Sequence, residues 1–93
     1  MKNSDVIKSF LFGCENCKTK NLQNIKINNK NNVLYNYNAK IAYKGYNIFS
    51  KNYFILINKK WLHYSKTTQT NINNIIKLAK HEEMDIEYEY LDD

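Results

Sequence analysis

The spacing of apolar side chains predicts one helix near the start of the chain and a second helix near residues 70–81. In both segments apolar residues recur every three or four positions, which gives a helix one buried stripe. The two stripes are Val6, Ile7, Phe10 and Leu11, and Ile72, Ile75, Ile76 and Ala79. We expect Ser4 to cap the first helix and Gly13 to end it. The hydroxyl groups that could cap the second helix are those of Thr67, Thr68 and Thr70.

A central strand is predicted over Tyr53–Ile57, because this run is continuously apolar and rich in β-favouring residues. Such a run is typical of a strand that is covered on both faces. The residues Asn58-Lys59-Lys60 then predict a turn. The segment from Trp61 to Ser65 is predicted to return as the second strand of a hairpin.

Shorter runs predict the rest of the sheet. The segment Asn24–Asn28 carries Ile25 and Ile27 on one face, which predicts a half-buried strand. A polar loop is expected before it at Asn16–Asn21, and a turn after it at Asn28–Asn32. The remaining predictions are strands at Val33–Tyr37, Lys40–Lys44 and Tyr46–Ser50, with a turn at Lys44-Gly45. The first two of these could also form one bent strand.

The C-terminal segment Met84–Leu91 alternates apolar and acidic residues, which predicts an ordered strand at an edge of the sheet. We expect the apolar side chains of this strand, Ile86, Tyr88 and Tyr90, to face the core. Glu87 and Glu89 would then face outward, near lysines of a neighbouring strand or toward a partner.

These elements predict an α+β fold and a single compact domain over residues 1–93. The sheet would be small and mainly antiparallel. It would pack against the N-terminal helix and the helix near residues 70–81, and the C-terminal strand would form one edge.

Charge is segregated along the chain, whose formal net charge is +5. All 14 lysines lie before residue 82, and arginine is absent. The last segment, residues 82–93, carries only acidic charges. A lysine-rich body favours phosphate or an acidic protein surface as partner. The acidic end could pair with that body, repel nucleic acid or meet a basic partner.

The chain has no run long enough to cross a membrane and no signal-peptide pattern, so we expect a cytoplasmic protein. Its two cysteines, Cys14 and Cys17, have a spacing that suits zinc or redox chemistry. A zinc site would need two further ligands, and a redox pair normally precedes a helix, whereas this pair follows one. An incidental turn is therefore favoured, and no metal or cofactor is predicted.

No catalytic group is predicted either. His63 and Ser65 would share a strand face, but no acid is placed to orient the histidine. The segment from Tyr64 to Thr68 could bind an anion at a helix start, although capping hydrogen bonds are the simpler interpretation.

Lysines and tyrosines interleave in the middle of the chain, and this pattern suits single-stranded nucleic acid. Since arginine is absent, such binding would be weakly sequence-specific. Together with the acidic strand, the candidate binding residues are Tyr43, Lys44, Tyr46, Lys51, Lys59, Lys60, Tyr64, Lys66, Glu87 and Glu89.

Several of these segments resemble small proteins of phages and other mobile elements. The shared pattern is L-x-N-Y-x-T-x-I-A followed by Y-S-x-T-T, Asn and Ile, and it covers roughly residues 10 to 76. Its matching segments here are Phe10-Leu11-Phe12-Gly13, Asn21-Leu22, Leu34-Tyr35-Asn36-Tyr37, Ile41-Ala42, Asn58, Tyr64-Ser65-Lys66-Thr67-Thr68, Asn73 and Ile75. The chain departs from the pattern at Ala39 and at Gln69-Thr70. The resemblance implies a mobile-element origin and a compact fold, and it implies no catalytic residue.

Three functions follow from these observations. The first is a non-catalytic, phage-type inhibitor or adaptor, such as an anti-CRISPR-like protein, that binds a host protein or ribonucleoprotein complex. The alternative is a weakly sequence-specific nucleic-acid-binding module that uses the Lys/Tyr surface. The third is an enzyme that acts through Cys14 and Cys17. The oligomeric state stays open, with a homodimer as one option.

Overall fold

The computed structural model describes residues 2–12 and 17–91, which form two α-helices, six strands and one short 3-10 helix. In chain order the elements are α1 (Asn3–Phe12), β1 (Cys17–Lys18), β2 (Leu22–Lys26), β3 (Asn32–Asn36), β4 (Ala39–Asn47), β5 (Asn52–Asn58), the 3-10 helix (Lys59–Trp61), α2 (Lys66–His81) and β6 (Asp85–Glu89). The strands form one sheet in the order β1-β2-β3-β4-β5-β6. Neighbouring strands are antiparallel except β5 and β6, which are parallel and are connected through α2. The predicted α+β fold is confirmed.

Both helices pack on one face of the sheet, which we call the helix-covered face; the opposite face is the open face. The buried core between helices and sheet consists of Val6, Ile7, Phe10, Leu11, Leu22, Leu34, Ile41, Ala42, Ile55, Ile57, Ile72, Ile75 and Ala79. Both predicted helix stripes are therefore confirmed. Ile76 is half-buried and packs against this core.

The helix starts differ from their predictions. The first helix, α1, begins at Asn3, so Ser4 lies inside it; the Asp5 carboxylate accepts a hydrogen bond from the Lys2 N–H at 3.0 Å. The second helix begins at Lys66, several residues before residue 70, because Ser65 rather than a threonine is its N-cap. The predicted stop at Gly13 lies outside the described residues.

The predicted hairpin after the central strand is wrong. The Asn58 side chain accepts a hydrogen bond from the Lys60 N–H at 3.1 Å and caps a 3-10 helix. The chain from Trp61 to Ser65 then turns into α2 and forms no strand. The neighbour of β5 on this side is β6, which arrives only after the helix.

The strand β2 presents the opposite face from the predicted one. Leu22 and Asn24 are buried, whereas Ile25 and Ile27 are 37% and 58% exposed. A row of hydrogen bonds between buried polar side chains explains this orientation. The Asn24 amide donates to the Ser9 hydroxyl at 3.0 Å, and the Asn32 amide donates to Asn24 Oδ1 at 3.1 Å. This chain of hydrogen bonds satisfies Asn24 in the interior.

On the first half of the sheet one prediction is corrected, and another is confirmed with shifted strand bounds. The region Asn16–Asn21, predicted as a loop, contains the short strand β1. The segments Val33–Tyr37 and Lys40–Lys44 belong to two separate strands, joined by a tight turn at Tyr37-Asn38. Tyr37 has a φ of 56° in that turn and so lies outside β3.

The predicted turn at Lys44-Gly45 and strand at Tyr46–Ser50 are wrong. The strand β4 runs through these residues as far as Asn47. There the Asn47 side chain accepts hydrogen bonds from the amides of Phe49 and Ser50, at 2.9 and 3.2 Å. This local pairing places the turn after Asn47.

The central strand is confirmed, but it is covered by helices on one face only. Ile55 and Ile57 are buried in the core, whereas Phe54 and Leu56 lie half-buried on the open face. The sheet therefore leaves one broad face uncovered by α1 and α2.

Candidate functional site

The edge strand β6 carries the acidic residues that the sequence singled out, and its position as an edge strand is confirmed. In the register with β5, Ile86 and Tyr88 pair with Ile55 and Ile57. They therefore lie on the helix-covered face, since paired residues of adjacent strands share a face. Only Ile86 packs against the core.

The two tyrosines of this segment are less buried than predicted. Tyr88 is 42% exposed and Tyr90 is 76% exposed. Tyr88 pairs in register with the buried Ile57, but its own side chain stays largely exposed at the edge of the sheet. The apolar side of β6 is therefore only partly buried.

Asparagine side chains fasten both ends of β6. The Asn52 amide donates to the Glu83 carbonyl at 3.1 Å, before the strand. After the strand, the fully buried Asn58 side chain binds both the N–H and the carbonyl of Leu91, each at 3.2 Å. These two residues begin and end β5, so that strand holds its neighbour at both ends. The acidic strand is consequently fixed in place.

The carboxylates of β6 lie on the open face without lysine neighbours in the adjacent strand. Glu87 pairs in register with Leu56 and Glu89 with Asn58. Both glutamates are exposed. Among residues 2–12 and 17–91, neither carboxylate forms an ion pair. Of the two predicted alternatives, lysines of a neighbouring strand or a partner, the first is not met in β5, where uncharged side chains occupy the facing positions.

An open groove of about 840 Å³ lies along the C-terminal half of β6. Its lining residues are Lys59, Leu62, His63, Glu87, Tyr88, Glu89 and Tyr90. One lysine thus reaches this region, and its Nζ lies 5.6 Å from the centre of the Tyr90 ring. The groove combines two carboxylates, two phenol rings and apolar surface, which suits a peptide better than a reacting small molecule.

The structure divides the predicted Lys/Tyr residues among separate surfaces. Tyr43 lies on the open face, between Val33 and Leu56 in register. Lys44 is buried, with its Nζ 4.5 Å from the centre of the Tyr53 ring.

Lysines cover the aromatic rings at this end of the sheet. The ring of Tyr46 meets that of Tyr53 edge-on at 4.9 Å, and the Lys30 Nζ lies 4.2 Å from the Tyr46 ring centre. A lysine side chain therefore already covers a face of each ring, and a nucleic-acid base would need such a face for stacking.

The remaining predicted residues lie at or near the ends of the strands and helices. Lys51 lies in the turn before β5, and Lys66 is the first residue of α2. The Nζ of Lys60 lies 4.9 Å from the centre of the Trp61 ring, and Tyr64 meets the same ring edge-on at 4.9 Å. Three of the predicted residues, Lys59, Glu87 and Glu89, line the groove beside β6.

The described residues that could suggest catalysis or metal binding do not group into such a site. The Ser65 hydroxyl accepts from the Thr68 N–H at 3.1 Å and donates to the Thr68 hydroxyl, which makes it a helix cap. Within the described part of the chain, no three His, Cys, Asp or Glu side chains are grouped so that they could hold a metal ion. Cys17 lies half-buried in β1, and Cys14 lies outside the described residues. None of the helices described is long and apolar enough to cross a membrane.

Sequence reasoning missed Asn52 and Asn58 as the residues that fix the site. Among the sixteen asparagines of the chain, Asn58 was distinguished only as a turn residue and as part of the pattern shared with phage proteins. A further signal was position, since Asn52 and Asn58 flank the most apolar strand of the sequence.

Comparisons of the chain with protein-family models, with curated proteins and with solved structures found no match. Its function must therefore be inferred from its own residues and their geometry.

Proposed function

We propose that this chain is a small, non-catalytic interaction protein whose acidic edge strand binds a basic surface of a nucleic-acid-handling protein. The observation that carries the proposal is the pair Glu87 and Glu89. Both carboxylates are exposed on an ordered strand and have no ion-pair partner among the described residues. They stay unbalanced although the same chain contains 14 lysines. Complementary charge on a partner would raise both the association rate and the specificity.

A nucleic-acid-handling protein is the kind of partner that this strand would recognise. Such proteins bind phosphates through lysine and arginine side chains. The acidic residues of β6 stand two positions apart, which separates them by about 6.6 Å along one face of the strand. A row of negative charges of this kind can compete for a phosphate-binding surface. The resemblance to phage and mobile-element proteins would make the partner part of a host complex, and the chain its inhibitor.

The alternative function, direct binding of nucleic acid by a Lys/Tyr surface, has less support. Its residues are dispersed over the molecule, and Lys44 is 4% exposed. Phosphate contacts need lysines that can reach a common backbone. Binding of DNA or RNA by the purified protein alone would distinguish this function from the first.

The experiment compares the wild-type protein with two charge-reversed variants in pull-downs from bacterial lysate. One variant is Glu87→Lys with Glu89→Lys. The matched control is Glu82→Lys with Glu83→Lys, which makes the same change of charge outside β6. We expect the wild type and the control to retain a nucleic-acid-binding protein that the β6 variant loses, and duplex DNA to displace it.

Two results would contradict the proposal. One is recovery of the same proteins by the β6 variant. The other is tight binding of DNA or RNA by the purified wild type at low salt, without any protein partner; this would instead support the nucleic-acid module.

A further inference from the structure

We infer that β6 accepts an extended segment of the partner as a seventh strand, and that this segment alternates basic and apolar side chains. The inference rests on the proposed function and adds the mode of recognition. Three observations support it. The outer edge of β6 has no strand neighbour in the described sheet, both ends of the β6 segment are held by hydrogen bonds, and acidic residues alternate along the strand.

The outer edge of β6 is available for strand addition. It is the last strand of the described sheet, and its other edge pairs with β5 over the whole of Asp85–Glu89. In an edge strand, alternate N–H and carbonyl groups point away from the sheet without a strand partner. Because Asn52 and Asn58 already hold both ends of the segment, an added strand would meet a preordered template. Preorganisation reduces the entropy lost on binding.

The charges on β6 disfavour a second copy of the chain as the occupant. A two-fold antiparallel pairing centred on Glu87 would place this residue opposite its own copy. It would also bring Asp85 opposite the Glu89 of the other copy. Like charges directly opposite each other on paired strands are destabilising. An added strand with lysine or arginine at these positions reverses the sign of each interaction.

The two faces of β6 set the alternation of the added strand. Residues that lie beside Glu87 and Glu89 would be on the open face, where basic side chains are favoured. The intervening residues would lie on the helix-covered side, next to Tyr88 and the groove that contains Leu62. Leu62 and the Tyr88 ring offer apolar surface on that side. Apolar side chains are therefore expected at those positions.

Two synthetic peptides of identical composition test the inference by fluorescence polarisation with the full-length protein. In one, Lys and Val alternate; in the other, all Lys precede all Val. Both have the same net charge, so net charge alone does not distinguish them. A third peptide alternates Lys and Val but carries N-methyl groups on every second residue, which removes backbone donors on one edge.

We expect the alternating peptide to bind about tenfold more tightly than either of the other two. The N-methylated peptide loses at least two backbone hydrogen bonds, and the peptide with all Lys before all Val cannot place lysines beside Glu87 and Glu89 with apolar residues between them. Binding should fall in the Glu87→Lys/Glu89→Lys variant and persist in the Glu82→Lys/Glu83→Lys control. Equal binding of the alternating peptide and of the peptide with all Lys before all Val overturns strand addition. The acidic edge would then still be the binding surface. Failure of all the peptides to bind also overturns strand addition, and the pull-down then decides the proposed function separately. Alternating-peptide binding that survives charge reversal in β6 overturns both.

Discussion

The side chain of Asn58 and the backbone of Leu91 form a two-way hydrogen-bonded pair across 33 positions of sequence. Asn58 Oδ1 accepts from the Leu91 N–H, and Asn58 Nδ2 donates to the Leu91 carbonyl. The same amide also donates to the Lys40 carbonyl at 2.7 Å and accepts from the Lys60 N–H at 3.1 Å. One fully buried side chain thus joins β4, the 3-10 helix and the end of the acidic strand.

Replacement of this asparagine should destabilise the protein more than replacement of its counterpart at the other end of β5. Asn58→Ala leaves several backbone groups without partners, and each one that stays buried costs roughly 1–3 kcal/mol. Asn52→Ala removes one exposed hydrogen bond and should cost about 0.5–1.5 kcal/mol at most. Urea unfolding of both variants checks this. Equal losses would show that Asn58 is not the principal fastening.

The orientation of β2 predicts losses of different size at Leu22, in the strand, and at Ile27, directly after it. Leu22 is fully buried, so Leu22→Ala should lower the free energy of unfolding by roughly 2–5 kcal/mol. Ile27 is 58% exposed, so Ile27→Ala should cost less than about 1 kcal/mol. Thermal and urea denaturation measure both. A larger loss for Ile27 would restore the face that the sequence pattern predicted.

A close contact on the open face predicts coupling between Gly45 and Phe54. A Cβ atom at Gly45 would lie 2.4 Å from Cζ of the Phe54 ring, so the ring would have to move. We expect Gly45→Ala to cost roughly 1–3 kcal/mol in the wild-type protein. In a Phe54→Ala background the same change should cost little, because the ring is gone. A double-mutant cycle measures this coupling, and additive effects would contradict the contact.

The start of α2 predicts a specific requirement at Ser65. Ser65→Ala removes the acceptor for the Thr68 N–H and should cost about 0.5–2 kcal/mol. Ser65→Asp should restore most of that stability, since aspartate is an equally good N-cap. Thr67→Ala is the control, because Thr67 is exposed in the first turn. If Thr67→Ala were the more damaging change, a threonine would be the cap, as the sequence suggested.

The helices were predictable from sequence because their apolar stripes are local and regular. Which face of β2 is buried was not predictable. The buried Asn24 side chain forms hydrogen bonds with Ser9 and Asn32, which lie 15 and 8 positions away in the sequence. The missing hairpin has a similar cause. Trp61 and its neighbours have strand-like composition, but the Asn58 side chain caps a 3-10 helix there.

The candidate site was likewise predictable only in part, because some of its features are local in the sequence and others depend on distant residues. The acidic character of the C-terminal segment and the alternation of Glu87 and Glu89 are visible in the sequence. Which residues face these carboxylates depends on the order of the strands. The parallel pairing with β5 places Leu56 and Asn58 there instead of lysines. That arrangement leaves both carboxylates exposed and facing uncharged residues of β5.

Amide hydrogen exchange is the most direct test of the claim that β6 is the binding edge. It would be measured for the protein alone and in complex with the nucleic-acid-binding protein recovered in the pull-down, with β2 (Leu22–Lys26) as the internal control. We predict new protection at those amides of Asp85–Glu89 that point away from β5 and no change in β2, because an added strand would pair with the free edge. Unchanged exchange in β6, with protection instead around Lys44, Lys51 or Lys66, would contradict the account.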